Sequence, residues 1–146
     1  MDNRIDYGTV AKEKIDILLE MEKQLKKADI DRKLREMIKV RASQINGCAY
    51  CLGIHTSDAR KVGVSEEELF LLSAWEDTNL YSEKTKLALE LTEAITQIAQ
   101  GGVPDELYER VRKEYSEEAY TDLVFTINQI NFWNRLSISM GNQHIV

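Results

Sequence analysis

At 146 residues, with 43% hydrophobic and 30% charged residues and a single proline, the chain has the size and balance of one globular domain rich in helix formers, not those of a disordered segment. Its formal net charge of −6 gives no electrostatic support to sequence-independent binding of nucleic acid or of anionic membranes. No apolar run approaches a bilayer span and the Met1-Asp2-Asn3 start is no signal peptide, so a cytoplasmic protein is expected, in which two nearby cysteines read as redox-active or metal-binding rather than as a staple.

Ile15, Leu18, Leu19 and Leu25 recur at helical spacing and predict a first amphipathic helix over about residues 9 to 27. Asp29 or Asp31 can cap a second helix that carries Leu34, Ile38, Ala42 and Ile45 inward and stops at Asn46-Gly47. A third begins near Cys48 and runs to about Val62, where Gly63 ends it. Ser65 to Glu68 form a capping-box pattern that opens a short fourth. Trp75 to Tyr81 reads as a loop. Ser82 opens a fifth helix carrying Leu87, Leu91, Ala94, Ile95 and Ile98, and Gly101-Gly102 breaks it before Pro104 takes the first-turn position of a sixth. Ser116 caps a last long helix with Leu123, Ile127 and Ile130, although Val124 to Ile127 is β-rich enough to leave a strand open on propensity alone. With no linker or low-complexity tract, the expectation is an all-α bundle of about six to seven helices forming one domain over 1–146.

The stretch that carries chemistry is Gly47-Cys48-Ala49-Tyr50-Cys51-Leu52-Gly53-Ile54-His55. If a helix starts at Cys48, then at about 100° per residue positions 48, 51 and 55 fall within an arc of about 60°, so two thiols and an imidazole share a face. A free thiol titrates near ~8.5, and a working one needs a base, a cation or a helix N-terminus to hold its thiolate. His55 one turn after Cys51, and the unpaired N–H groups of the first turn, are both on offer. Cys51 is therefore the expected nucleophile, and Cys48 the thiol that closes a disulfide with it. Structural zinc normally takes four N/S ligands, and two cysteines with two histidines, His144 being near the C-terminus, supply them poorly. Covalent haem attachment needs a histidine where Leu52 stands. Neither a metal site nor a bound cofactor is expected beyond the Cys48–Cys51 disulfide itself. Two inert core cysteines, a disulfide reductase or isomerase that uses no peroxide, and a non-catalytic redox- or zinc-sensing oligomer stay open as rival readings.

Gly47 to Cys51 followed by His55 resembles the redox centre of the alkylhydroperoxidase AhpD-like branch of the carboxymuconolactone decarboxylase family. The similarity extends through Leu34-Arg35-Glu36, Arg41-Ala42-Ser43-Gln44, Ser82-Glu83-Lys84, Val103-Pro104-Asp105 and Asn131-Phe132-Trp133-Asn134-Arg135, about residues 30 to 136. The resemblance implies an all-helical fold assembled as trimers or hexamers, and an antioxidant peroxidase reaction on a hydroperoxide. In it Cys51 is peroxidatic, Cys48 resolving, His55 the proton relay and Glu36 its carboxylate. It also implies a lipoyl-type or thioredoxin-like dithiol donor. Better-known members carry a histidine where this chain has Tyr50, a substrate-binding candidate. On a helical wheel Glu36 falls opposite Leu34 and Ile38, which predicts a solvated glutamate paired with Arg32, Lys33 or Lys39 unless that helix is covered on both faces. Trp75, Phe132 and Trp133 are candidates for a pocket wall, core packing being the commoner fate of aromatics.

Overall fold

The computed structural model describes residues 4–146. Eight α-helices follow one another among them: α1 (Tyr7–Val10), α2 (Lys12–Lys26), α3 (Arg32–Asn46), α4 (Ala49–Lys61), α5 (Glu66–Phe70), α6 (Glu83–Thr96), α7 (Asp105–Glu114) and α8 (Glu117–Met140). Short 3₁₀ helices cover Leu72–Asp77 and Ile98–Gln100, and no strand occurs among the described residues. The helix count exceeds the expected six to seven because the first predicted helix breaks at Ala11, whose backbone leaves the helical region. The predicted loop from Trp75 is wound as far as Asp77, and the β-rich run Val124 to Ile127 is helical inside α8.

The caps were written in the sequence. Asp31 accepts a hydrogen bond from the Leu34 amide, Ser82 from Thr85 and Ser116 from Ala119, and Ser65 and Glu68 close a full capping box. Gly47 ends α3 in the left-handed conformation at φ 67°, which lets the chain turn at once into α4. Pro104 sits one position earlier than expected, as the cap of α7.

Helix α3 is the axis of the molecule and packs against α4, α6 and α8. One face puts Leu34 and Ile38 into a cluster with Leu91, Val111, Leu123 and Ile127 from α6, α7 and α8. Its other face puts Met37 and Val40 against Ala59, Leu72, Trp75 and Leu89. Ile38 and Leu123 are fully buried, and truncating either to alanine should cost about 2–5 kcal/mol in a denaturant titration, with little change in slope. Helix α2, by contrast, buries Leu25 alone and leaves Leu19 exposed; it covers the site more than it builds the core.

Candidate active site

The link between α3 and α4 sets the two sulfurs. Cys48 is the residue that caps α4, and its Sγ accepts a hydrogen bond from the Cys51 amide at 3.4 Å. Cys51 lies in the first turn, and the two sulfurs are 2.7 Å apart, both thiols free and both buried. A disulfide of about 2.05 Å needs less than an ångström of further approach.

Glu36 and His55 meet beside them. Helix α3 brings the Glu36 carboxylate to 3.3 Å from His55 Nδ1 on α4. The solvated glutamate expected from the helical wheel is thus corrected: α3 is covered on that face as well, and Glu36 is largely buried. The partner Lys39 from that expectation is present at 3.7 Å and also lies 3.7 Å from Glu22 of α2. Burial works to raise the Glu36 pKa, but the His55 hydrogen bond and the charges of Lys39, His55 and Arg35 outweigh it and hold the carboxyl below its usual value. An ionised carboxylate can only accept, so Nδ1 carries a proton in this pair, and in the neutral imidazole Nε2 is the nitrogen whose lone pair can act as a base.

Sulfur acidity departs from expectation. The helix start and the imidazole were to keep Cys51 ionised; instead burial, with the adjoining Cys48 thiol adding to it, pushes Cys51 from 9.0 up to about 11. The dipole of the first turn and the nearby imidazole do not offset the cost of holding a charged sulfur out of water. The folded chain therefore keeps a proton that the unfolded chain gives up. Stability linked to Cys51 is intact below about pH 9 and is lost as pH rises toward about 11, to a total of roughly 2–3 kcal/mol. Denaturant midpoints of the native chain and of Cys51→Ala should diverge across that window and run parallel below it.

Cys51, His55, Glu36 and Tyr50 line one cavity of about 400 Å³, walled by Leu19 of α2, Ile54 of α4 and Trp133 of α8. Trp133 is anchored through its Nε1, which donates to Glu22 at 2.7 Å. Trp75 belongs to the core, donating to Glu93, and Phe132 is exposed. Outside the cavity the His144 ring lies over the backbone of α4 at Gly53, where a Cβ would overlap it. Among the described residues the grouping able to offer three metal-ligand atoms is Glu36, His55 and Asp58, within 4.8 Å of one another; the cysteines are not in it, and the Lys39 ammonium already sits on Glu36. The sequence offered Lys39 only as an ion-pair partner of Glu36, and it singled out neither Asp58 nor two buried α8 side chains that reach Cys51, Asn134 and Ser137.

Comparison with known proteins agrees with this architecture. The carboxymuconolactone decarboxylase family profile matches residues 15–94. The chain is 53% identical over 143 residues to the uncharacterized protein YdfG of Bacillus subtilis, covering 98% of this chain and 97% of that one. A protein of unknown function from Agrobacterium tumefaciens, proposed as an antioxidant defence protein AhpD, superposes with a TM-score of 0.94 at 32% identity over 99% of both chains. The fold alone is shared with the alkylhydroperoxidase AhpD core of an uncharacterized peroxidase-related protein from Ralstonia eutropha JMP134, at a TM-score of 0.80 and 17% identity over 92% of this chain and 72% of that one. The chain belongs to the carboxymuconolactone decarboxylase family, in its AhpD-like branch. No helix among the described residues is long and apolar enough to cross a membrane.

Proposed function

We propose that the protein is a thiol-dependent peroxidase of antioxidant type. The observation that carries this reading is the contact of two free sulfurs, 2.7 Å apart, on a cavity that also holds a hydrogen-bonded carboxylate–imidazole pair. The kinship with a protein proposed for antioxidant defence supports it.

In the first step the Cys51 sulfur attacks the terminal peroxide oxygen. The O–O bond breaks, the sulfur becomes a sulfenic acid, and the leaving alkoxide takes a proton to become an alcohol. Because Cys51 is protonated at rest, attack has to be coupled to removal of its proton by His55 Nε2, and the imidazolium formed is held by Glu36. In the second step the Cys48 sulfur attacks the sulfenic sulfur; a disulfide forms and the hydroxyl leaves as water. A dithiol donor, lipoyl-type or thioredoxin-like, restores both thiols by exchange. Tyr50, whose ring lines the cavity beside Cys51, serves as a wall for the organic part of the peroxide. A homo-oligomer, trimer or hexamer, working in the cytoplasm without a metal or bound cofactor completes the proposal.

One reduced stock, assayed in parallel on an organic hydroperoxide and on a small disulfide, tests it. Peroxide consumption well above that of free thiol at equal concentration is expected. Disulfide turnover with no peroxide consumption would replace this reading with a disulfide reductase.

A further inference from the structure

Next to Cys51, α8 presents a row of buried amides. Asn131 and Asn134 are both buried, Asn134 completely. Buried carboxamides are satisfied in a definite orientation, and here two backbone carbonyls dictate it. Asn131 lies 2.9 Å from the Ile127 carbonyl oxygen, which can only accept, so that contact is made by Asn131 Nδ2 and its Oδ1 faces the other way. Asn46, at the end of α3, donates from Nδ2 to that Oδ1 at 2.9 Å and to Asn134 Oδ1 at 3.0 Å. Asn134 Nδ2 is thereby turned to the far side. There it donates at 2.9 Å to Ser43 Oγ, whose own hydrogen goes to the Lys39 carbonyl at 2.7 Å. Both ends of the row give the same polarity.

This leaves Asn134 Nδ2 one further hydrogen, and Asn134 is a side-chain hydrogen-bond partner of Cys51. The Ser137 hydroxyl, one turn further along α8, accepts from the Cys51 thiol at 3.8 Å, and its own hydrogen can turn to the sulfur once the thiol proton has left.

We infer that Asn134 and Ser137 form a thiolate-binding site for Cys51, with the Asn134 N–H fixed toward the sulfur by Asn46 acting as a positioning residue. The inference rests on Cys51 being the reacting sulfur. It supplies one donor, Asn134 Nδ2, that is already oriented when the negative charge appears, and a second, the Ser137 hydroxyl, that joins it by rotating about one bond. Asn134 and Ser137 are also the two groups that pull the Cys51 pKa down against burial and Cys48. Charged neighbours on the cavity side are Glu22 and Lys26 from α2, Glu36 and Lys39 from α3, and His55 and Asp58 from α4, with the phenols of Tyr7 and Tyr50 beside them. From α8 the cavity receives only neutral groups, so its effect on the sulfur is one of oriented dipoles.

The test is a pH titration of the ultraviolet thiolate absorbance of the reduced, full-length protein, with Cys51→Ser as the blank that removes tyrosine and Cys48 signals. Asn134→Leu should move the Cys51 midpoint up by about one unit or more, a roughly tenfold loss of thiolate at a given pH, as expected for losing a hydrogen bond to a charged group. Asn46→Leu, which does not touch the sulfur, should move it in the same direction, and Ser137→Ala should do so by severalfold less. Midpoints unchanged in folded Ser137→Ala and Asn46→Leu would overturn the inference, even if Asn134→Leu proves too unstable to titrate. No peroxide enters this measurement, so its failure is separate from a failure of the peroxidase reading, which would appear as absent turnover with the titration shifts intact.

Discussion

Cys51→Ser is expected to lower hydroperoxide turnover by at least about a thousandfold, because the hydroxyl that replaces the thiol has no path to a stable oxidised state and no partner to couple with. The change removes one sulfur from a buried contact and keeps the side-chain shape, so circular dichroism should be unchanged. Cys48→Ser makes the complementary case. Its Cys51 can still take one oxygen from one peroxide, but the resolving sulfur that stood 2.7 Å away is gone. The expected result is a single stoichiometric reaction followed by arrest, with the sulfenic acid on Cys51 lasting long enough to be captured by a dione reagent. Wild-type turnover in Cys51→Ser, with arrest in neither variant, would remove the sulfurs from the chemistry.

His55→Ala should cost on the order of 10²–10⁴ in turnover. The size follows from sulfur acidity: with a pKa of about 11, only about one Cys51 in 10⁴ is ionised at pH 7, so a base acting in the transition state has up to four decades to recover. Without His55 the rate should climb close to tenfold per pH unit through the neutral range, and the deficit should shrink as pH rises. Glu36→Gln should cost less, since glutamine can still orient the ring by accepting from Nδ1, but it no longer stabilises the imidazolium. The native Glu36 carboxyl, held below its usual pKa, stays ionised until well into the acid range; as pH falls through that value the pair is lost, and activity falls with it. A His55→Ala variant as active as the parent at neutral pH would exclude the relay.

Much of this site was legible because it is local. Cys48, Cys51 and His55 lie on one short segment, and the Asn46-Gly47 stop announces that a helix starts where they begin. What was missed depends on tertiary packing. The helical wheel assigned Glu36 to solvent because it assumes one buried face, whereas α3 is enclosed by neighbours on several sides and carries even Arg35 and Lys39 inward. The break at Ala11 has no proline or glycine to announce it. Thiol acidity was misjudged because spacing reports the dipole and the imidazole but not the desolvation that opposes them. Asn131, Asn134 and Ser137 did leave a signal: they interrupt the apolar stripe of α8 at helical spacing from Leu123, Ile127 and Ile130, and polar groups on a buried stripe demand partners.

The sulfur-pair claim is tested most directly by mixing fully reduced protein with one equivalent of an organic hydroperoxide, then following peroxide, free thiol and intact mass together. The account predicts that the peroxide is consumed, both thiols disappear, and the chain loses the mass of two hydrogen atoms through the Cys48–Cys51 bond. Peroxide left intact beside two titratable thiols, or oxidation that adds oxygen without ever closing that bond, would contradict it.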